Sequence, residues 1–241
     1  IGNPPYVEYS KIEYSYNHDL ISVCGNLYAM VMHRSCMISS NKSYFGMIVP
    51  ISLASTPRMN NLRKYLTVNS ASIWCSNYAD RPGCLFKGVH QKLSIVLCKL
   101  SGLLSKESQV YTTKYYHWYG NEVNAVETLF QTCTYLSNAN RQNGWYKFGH
   151  HLDHSIYSIV QSLPMALVKP NSGYSIYLNM RMMYWCKCFT EPMNSKEYKQ
   201  FSYNDIIASQ SACAAFNSSL YFWLWESISD VWHITNKELV E

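Results

Sequence analysis

Residues 43–69 read SYFGMIVPISLASTPRMNNLRKYLTVN, and they set the fold class. The run from Ser43 to Leu53 is short, almost continuously apolar and interrupted by Pro50, as expected of a buried parallel strand. Pro57 then suits the first turn of a helix, where its missing N–H is not needed, and Leu62, Tyr65 and Leu66 share one face of that helix. Upstream, NLYAMVMHRSCMISS (26–40) carries Leu27, Met30, Val31 and Cys36 at helical spacing. Downstream, SASIWCSN (70–77) and QKLSIVLCKL (91–100) are β-branched and partly alternating, which predicts strands. The order is helix, strand, helix, strand, loop, strand. That is α/β alternation with room for a closing hairpin.

Beyond about residue 102 the chain changes character. Aromatic pieces such as YYHWYGNEV, NRQNGWYKFGHH, YSIYLNMRMMYWCKCF and SSLYFWLWESIS are separated by Ser, Asn and Gly. Charge changes at the same place. Residues 1–102 hold ten Lys/Arg against four Asp/Glu, while 103–241 hold ten against eleven. The two shifts place a boundary there, giving units 1–102 and 103–241. A chain of 241 residues with 48% hydrophobic and 15% charged residues is long and apolar enough to fold around a core, which excludes a disordered chain. The basic first part suits a polyanionic partner. Nine scattered cysteines without a CxxC pair read as free thiols in a cytoplasmic protein. No apolar run reaches the ~18–20 residues of a membrane span.

Outward to the N-terminus, the chain begins IGNPPYVEY. Each proline fixes its own φ and restrains the residue before it, so Asn3-Pro4-Pro5 is extended and stiff. Neither proline donates a hydrogen bond. The segment offers the Asn3 side-chain oxygen, the Pro4 carbonyl and the Tyr6 ring. Two acceptors beside an aromatic face suit an exocyclic amino group on a flat ring. Accepting both its hydrogens favours a tetrahedral nitrogen and stabilises the positive charge that develops on alkylation. Tyr6 then stacks on the ring and holds it in line.

Asn3-Pro4-Pro5-Tyr6 resembles the catalytic motif of S-adenosylmethionine-dependent amino methyltransferases, above all the N6-adenine DNA methyltransferases. GNLYAMVMHRSC, YFGMIVPISLAST and NLRKYL are similar to the following helix and strand of restriction–modification adenine methylases, including type IIG-like enzymes. CLFKGVHQKLSIVLCKL (84–100) resembles the end of their catalytic domain. FNSSLYFWLW (216–225) and SDVWHITNKEL (229–239) resemble pieces of their target-recognition region.

The resemblance implies the second half of a Rossmann-like methyltransferase sheet followed by an α+β target-recognition domain. It implies a catalytic role for Asn3, Pro4, Pro5 and Tyr6, and Phe86 packing on the target base. It further implies S-adenosylmethionine as cofactor and duplex DNA with a flipped adenine as partner, with no metal. The family's glycine-rich cofactor loop precedes the motif. The expectation is therefore a fragment that lacks an N-terminal part of the same protein, with its cofactor-binding residues unassigned.

Arg141 and Lys147, basic groups interleaved with amides and rings in NRQNGWYKFGHH, are the candidates for DNA contact. HHLDH (150–154) offers His150, His151, Asp153 and His154 without the glutamate of the zinc-protease pattern, and reads as polar surface. Cys186 and Cys188 alternate as on a strand and read as buried thiols. Two other functions fit the motif: methyl transfer to protein glutamine or RNA guanine, and a non-catalytic DNA-binding module.

Overall fold

The computed structural model describes residues 1–13, 19–101, 108–119, 126–138, 144–162 and 173–240. It has a mixed α/β architecture that divides into two compact units, Ile1–His151 and Leu152–Glu241. No helix among the described residues is long and apolar enough to cross a membrane.

The first unit contains α1 (Asp19–Ser22), α2 (Leu27–Ile38), β1 (Tyr44–Pro50), α3 (Ser52–Ser55), α4 (Asn60–Asn69), β2 (Ser70–Tyr78), β3 (Leu93–Leu100), β4 (Gln109–Tyr116), α5 (Val126–Gln131) and β5 (Leu136–Ser137). Its five-stranded sheet has the order β1-β3-β2-β4-β5. β3 is antiparallel to both β1 and β2, so those two run the same way, and β4 is parallel to β2. The expected hairpin is the β2–β3 pair. β1 was expected to be a parallel strand, yet its ladder is antiparallel to β3, and its parallel partner is a single bridge from Gly2 to Met47. A continuous apolar run reports burial on both faces and says nothing about the direction of the neighbour.

Local chemistry explains the helices that flank β1. The Asn26 side chain accepts from the Tyr28 amide and starts α2. α2 buries Tyr28, Ala29, Met30, Met32, His33 and Cys36, a belt wider than one face. Pro57–Met59 form a 3-10 turn before α4, which buries Leu62 and Leu66. Arg63 is buried too, donating to the carbonyls of Leu53 and Thr56 at 2.8 and 2.9 Å and tying α4 to α3. Each fully buried Leu-sized side chain contributes about 1.5–3 kcal/mol.

The boundary expected after residue 102 is not where the structure divides. β4 continues the sheet beyond β2, and Val110 and Trp145 belong to the first unit's core cluster. The Trp145 amide donates to the Ala54 carbonyl at 2.8 Å, so residues 144–148 fold back onto α3. The shift in composition marks more aromatic sequence, but the outer edge of β2 still requires a strand, and β4 supplies it.

The second unit holds α6 (Asp153–Ser162), β6 (Tyr174–Asn179), β7 (Cys188–Phe189), β8 (Tyr198–Tyr203), α7 (Ile206–Phe216), α8 (Ser219–Ile228) and α9 (Asn236–Val240). Its three strands are antiparallel in the order β7-β6-β8. Asp205 and Ser218 cap α7 and α8 through their side chains. Trp225 is fully buried and donates from Nε1 to the His233 carbonyl at 3.1 Å. Cys186 and Cys188 are buried as read from the sequence, and burial pushes the Cys186 thiol up to about 12.

Candidate active site

The site is built at one edge of the first sheet. Pairing places Pro50 opposite Leu93, Leu93 opposite Tyr78, and Tyr78 opposite Tyr116, so the carboxyl ends of β1, β2 and β4 form one row. Open α/β sheets bind ligands outside that edge. Gly2 donates to the Gly46 carbonyl at 2.9 Å and accepts from the Ile48 amide at 3.1 Å. A chain held this way enters the row at Asn3, which puts Asn3-Pro4-Pro5-Tyr6 beside the end of β1.

Within the tetrapeptide, Pro4 is buried, Asn3 and Pro5 are exposed, and Tyr6 is half-buried against the core. The Tyr6 hydroxyl lies 2.5 Å from Asn3 Oδ1 and 3.0 Å from the Ile48 carbonyl, and its one proton serves these two acceptors. Burial pushes the Tyr6 phenol up to about 12, so it remains a donor at neutral pH. A carbonyl oxygen has two lone pairs, which leaves one on Asn3 Oδ1 for a further donor. The hydroxyl thus fixes the oxygen of the Asn3 amide, not its nitrogen, on the side of Tyr6.

The segment is pinned downstream as well. The Leu27 amide donates to Val7 at 2.8 Å, and the Tyr9 amide to Gly25 at 3.0 Å, where φ of 66° suits glycine. Glu8 accepts from Arg58 Nη2 at 2.8 Å and Nη1 at 3.0 Å, and from Asn26 Nδ2 at 3.2 Å. The Arg58 hydrogen bond holds the Glu8 carboxyl below the usual carboxylate range. Sequence reading missed Glu8, Asn26 and Arg58 as supports. The Asn26 cap was legible before an apolar helix, but nothing local pairs Glu8 with a residue fifty positions away.

Phe86 lies in the loop between β2 and β3, half-buried, at the same edge of the sheet. That loop is pinned by Gly83, whose amide donates to the Trp118 carbonyl at 2.8 Å and whose missing Cβ makes room for the Trp118 indole. Among the described residues no ring contact joins Phe86 to Tyr6. Arg141 lies outside the described residues. Lys147, expected in a DNA-facing loop, is instead 3% exposed and donates to Ser55 Oγ at 3.2 Å. Its neighbours Trp145, Tyr146 and Phe148 carry it inward, out of reach of a phosphate. The His150 and His151 rings lie tilted with centroids 4.0 Å apart, and the described residues contain no group of three metal-ligating side chains.

The residues at this edge offer hydrogen-bond acceptors to an incoming group. Asn3 Oδ1 and the Pro4 carbonyl supply acceptors. Of the carboxylates near this edge, Glu8 is hydrogen-bonded to Arg58 and Asn26, and Asp80 lies 3.9 Å from both Arg81 and Lys92. No residue here is assigned to a cofactor.

No curated protein matches the chain. Among solved structures, the chain is similar to the ATP-dependent Type ISP restriction-modification enzyme LlaBIII bound to DNA, at 13% identity and a TM-score of 0.45, over 75% of this chain and 14% of that one. A nuclease-deletion mutant of the Type ISP enzyme LlaGI in complex with a DNA substrate mimic gives 13% and 0.45, over 75% of this chain and 20% of that one. The DrdV–DNA complex gives 10% and 0.42, over 59% and 17%. The chain therefore spans a fifth or less of each of these proteins. Residues 1–81, which carry Asn3–Tyr6 and the strands β1 and β2, match the family model of the Eco57I restriction-modification methylase, and this part of the chain is related to restriction–modification methylases.

Proposed function

We propose that the chain is part of a cytoplasmic restriction–modification methyltransferase that methylates adenine N6 in duplex DNA, its first unit binding the target base and its second contributing to site recognition. The observation that carries this reading is the placement of Asn3-Pro4-Pro5-Tyr6. It is clamped between the Gly2–β1 bridge and the Glu8–Arg58 pair, with one lone pair of Asn3 Oδ1 still available. The base is taken from the stack so that its amino group reaches this edge. Asn3 Oδ1 and the Pro4 carbonyl accept the two amino hydrogens, which draws the nitrogen toward a tetrahedral shape and frees its lone pair from the ring. Tyr6 supplies the aromatic face, and its hydroxyl keeps the Asn3 oxygen aimed. When bound, S-adenosylmethionine would supply the electrophilic methyl group, leaving as S-adenosylhomocysteine while the methylated nitrogen loses one proton.

The test is transfer of labelled methyl from S-adenosylmethionine by the intact protein, offered duplex DNA, RNA and protein in parallel. Label in adenine N6 of DNA, reduced by at least a hundredfold in Asn3→Ala with the fold retained, is expected, since a lost charge-stabilising contact costs on the order of 10²–10³ in rate. Label in RNA or protein instead keeps the chemistry and discards the DNA substrate.

A further inference from the structure

Outside the edge that carries Asn3–Tyr6, the second unit displays a concave patch of different chemistry. A cavity of about 230 Å³ is lined by Asn179, Arg181, Tyr184, Trp185, Lys187 and Glu197 among others. Trp185 is 60% exposed, whereas the other six tryptophans are buried or half-buried. Its ring lies 6.3 Å from that of Tyr184, and Lys187 Nζ stands 5.6 Å from its centroid. The Arg181 guanidinium reaches Glu197 at 3.4 Å with both groups about half exposed.

The aromatic pair is presented, not merely left outside. Met182 and Cys186 are buried on either side of it and anchor the segment. The backbone is tied by Asn179 N to the Lys187 carbonyl, Met180 N to the Glu197 carbonyl and Ile234 N to the Met180 carbonyl, at 2.8–2.9 Å. Adjacent exposed Met183, Tyr184 and Trp185 on a pinned backbone form an apolar patch of the sort that marks a binding surface.

Charge selects the occupant. Residues 179–199 hold four Lys/Arg against two Glu, while the rest of 152–241 holds two against six. Four of the cations of an otherwise acidic unit thus fall in the segment that carries Tyr184 and Trp185, and two of them, Arg181 and Lys187, line the cavity. An apolar protein partner would have to desolvate the Lys187 ammonium. A nucleic acid strand offers phosphates to Arg181 and Lys187 and a sugar or base face to Tyr184 and Trp185.

We infer that the Arg181–Tyr184–Trp185–Lys187 patch is a DNA-contact surface of the second unit, the cations gripping phosphates and the rings packing on the strand between them. This deepens the proposed function and rests on it.

The test uses the 241-residue chain and a fluorescein-labelled mixed-sequence DNA duplex, with anisotropy followed across a salt series. Arg181→Gln together with Lys187→Gln is expected to flatten log K against log salt by about two, at roughly 0.9 per phosphate contact. Trp185→Ala is expected to weaken binding on the order of tenfold, Trp185→Phe to retain most of it, and the duplex to quench the exposed Trp185 emission. Lys64→Gln, an exposed change on α4, is the control and leaves the slope unchanged. Near-UV circular dichroism verifies the fold of each variant.

Unchanged affinity and slope in the patch variants, no DNA binding by the parent chain, or burial of Trp185 by self-association in light scattering would each overturn the inference. If the patch variants bind normally while Asn3→Ala still abolishes DNA methylation, the patch falls and the methyltransferase reading stands. If DNA binding is lost in the variants while no methyl label enters DNA, the reverse holds.

Discussion

Replacing Trp145 with alanine removes one of the largest fully buried side chains of the first unit. The indole is 1% exposed and belongs to the same core cluster as Leu53, Met59 and Leu62, while its backbone amide holds the Ala54 carbonyl. A buried Trp→Ala change costs about 3–5 kcal/mol, from lost transfer energy plus the cavity left behind. In a unit of this size each kcal/mol moves the midpoint by about 2–4 °C. Trp145→Ala is therefore expected to lower the melting temperature of the first unit by about 6–20 °C, followed by far-UV circular dichroism and calorimetry. The effect reaches the proposed site, because Trp145 braces α3, which leads directly from the end of β1 beside Asn3–Tyr6. Methyl transfer by the intact protein should fall with the folded fraction and recover on cooling. A midpoint within about 2 °C of the parent would refute the reasoning. Residues 144–148 would then not complete the core, and a boundary near residue 102 would again describe the chain.

Glu8→Gln should cost about 0.5–1 kcal/mol at pH 7, because the Arg58–Glu8 pair is bidentate yet about two-fifths exposed and solvent-screened. The Glu8 carboxyl is held below its ordinary value, so its contribution is present above the unfolded carboxylate pKa and is lost as pH falls through the folded one. Denaturant titrations should show the parent and Glu8→Gln converging in acid, and a pH-independent gap would sink the assignment. Lys147→Ala should lower stability by about 1–3 kcal/mol, through its buried stem and the bond to Ser55, while leaving the salt dependence of DNA binding untouched. A flattened salt slope with an unchanged melting temperature would restore Lys147 as a phosphate contact.

The elements around β1 were legible because their signals are local. An apolar run, a proline at a helix start and apolar residues at helical spacing act through neighbours in the chain, and they delivered β1, α4 and α2 near their observed limits. The stiffness of Asn3-Pro4-Pro5-Tyr6 was readable for the same reason, since each proline restrains its own residue and the one before it.

Tertiary structure decided everything that depends on distant partners. The direction of the strand beside β1, the capture of β4 by the outer edge of β2 and the inward turn of Lys147 follow from which edges and cavities remained to be filled. So do the Glu8–Arg58 clamp and the outward display of Tyr184 and Trp185 between two buried anchors. Composition reports how much apolar and charged surface a chain must place. Where each group ends up is settled only when packing chooses which side of the backbone meets the core.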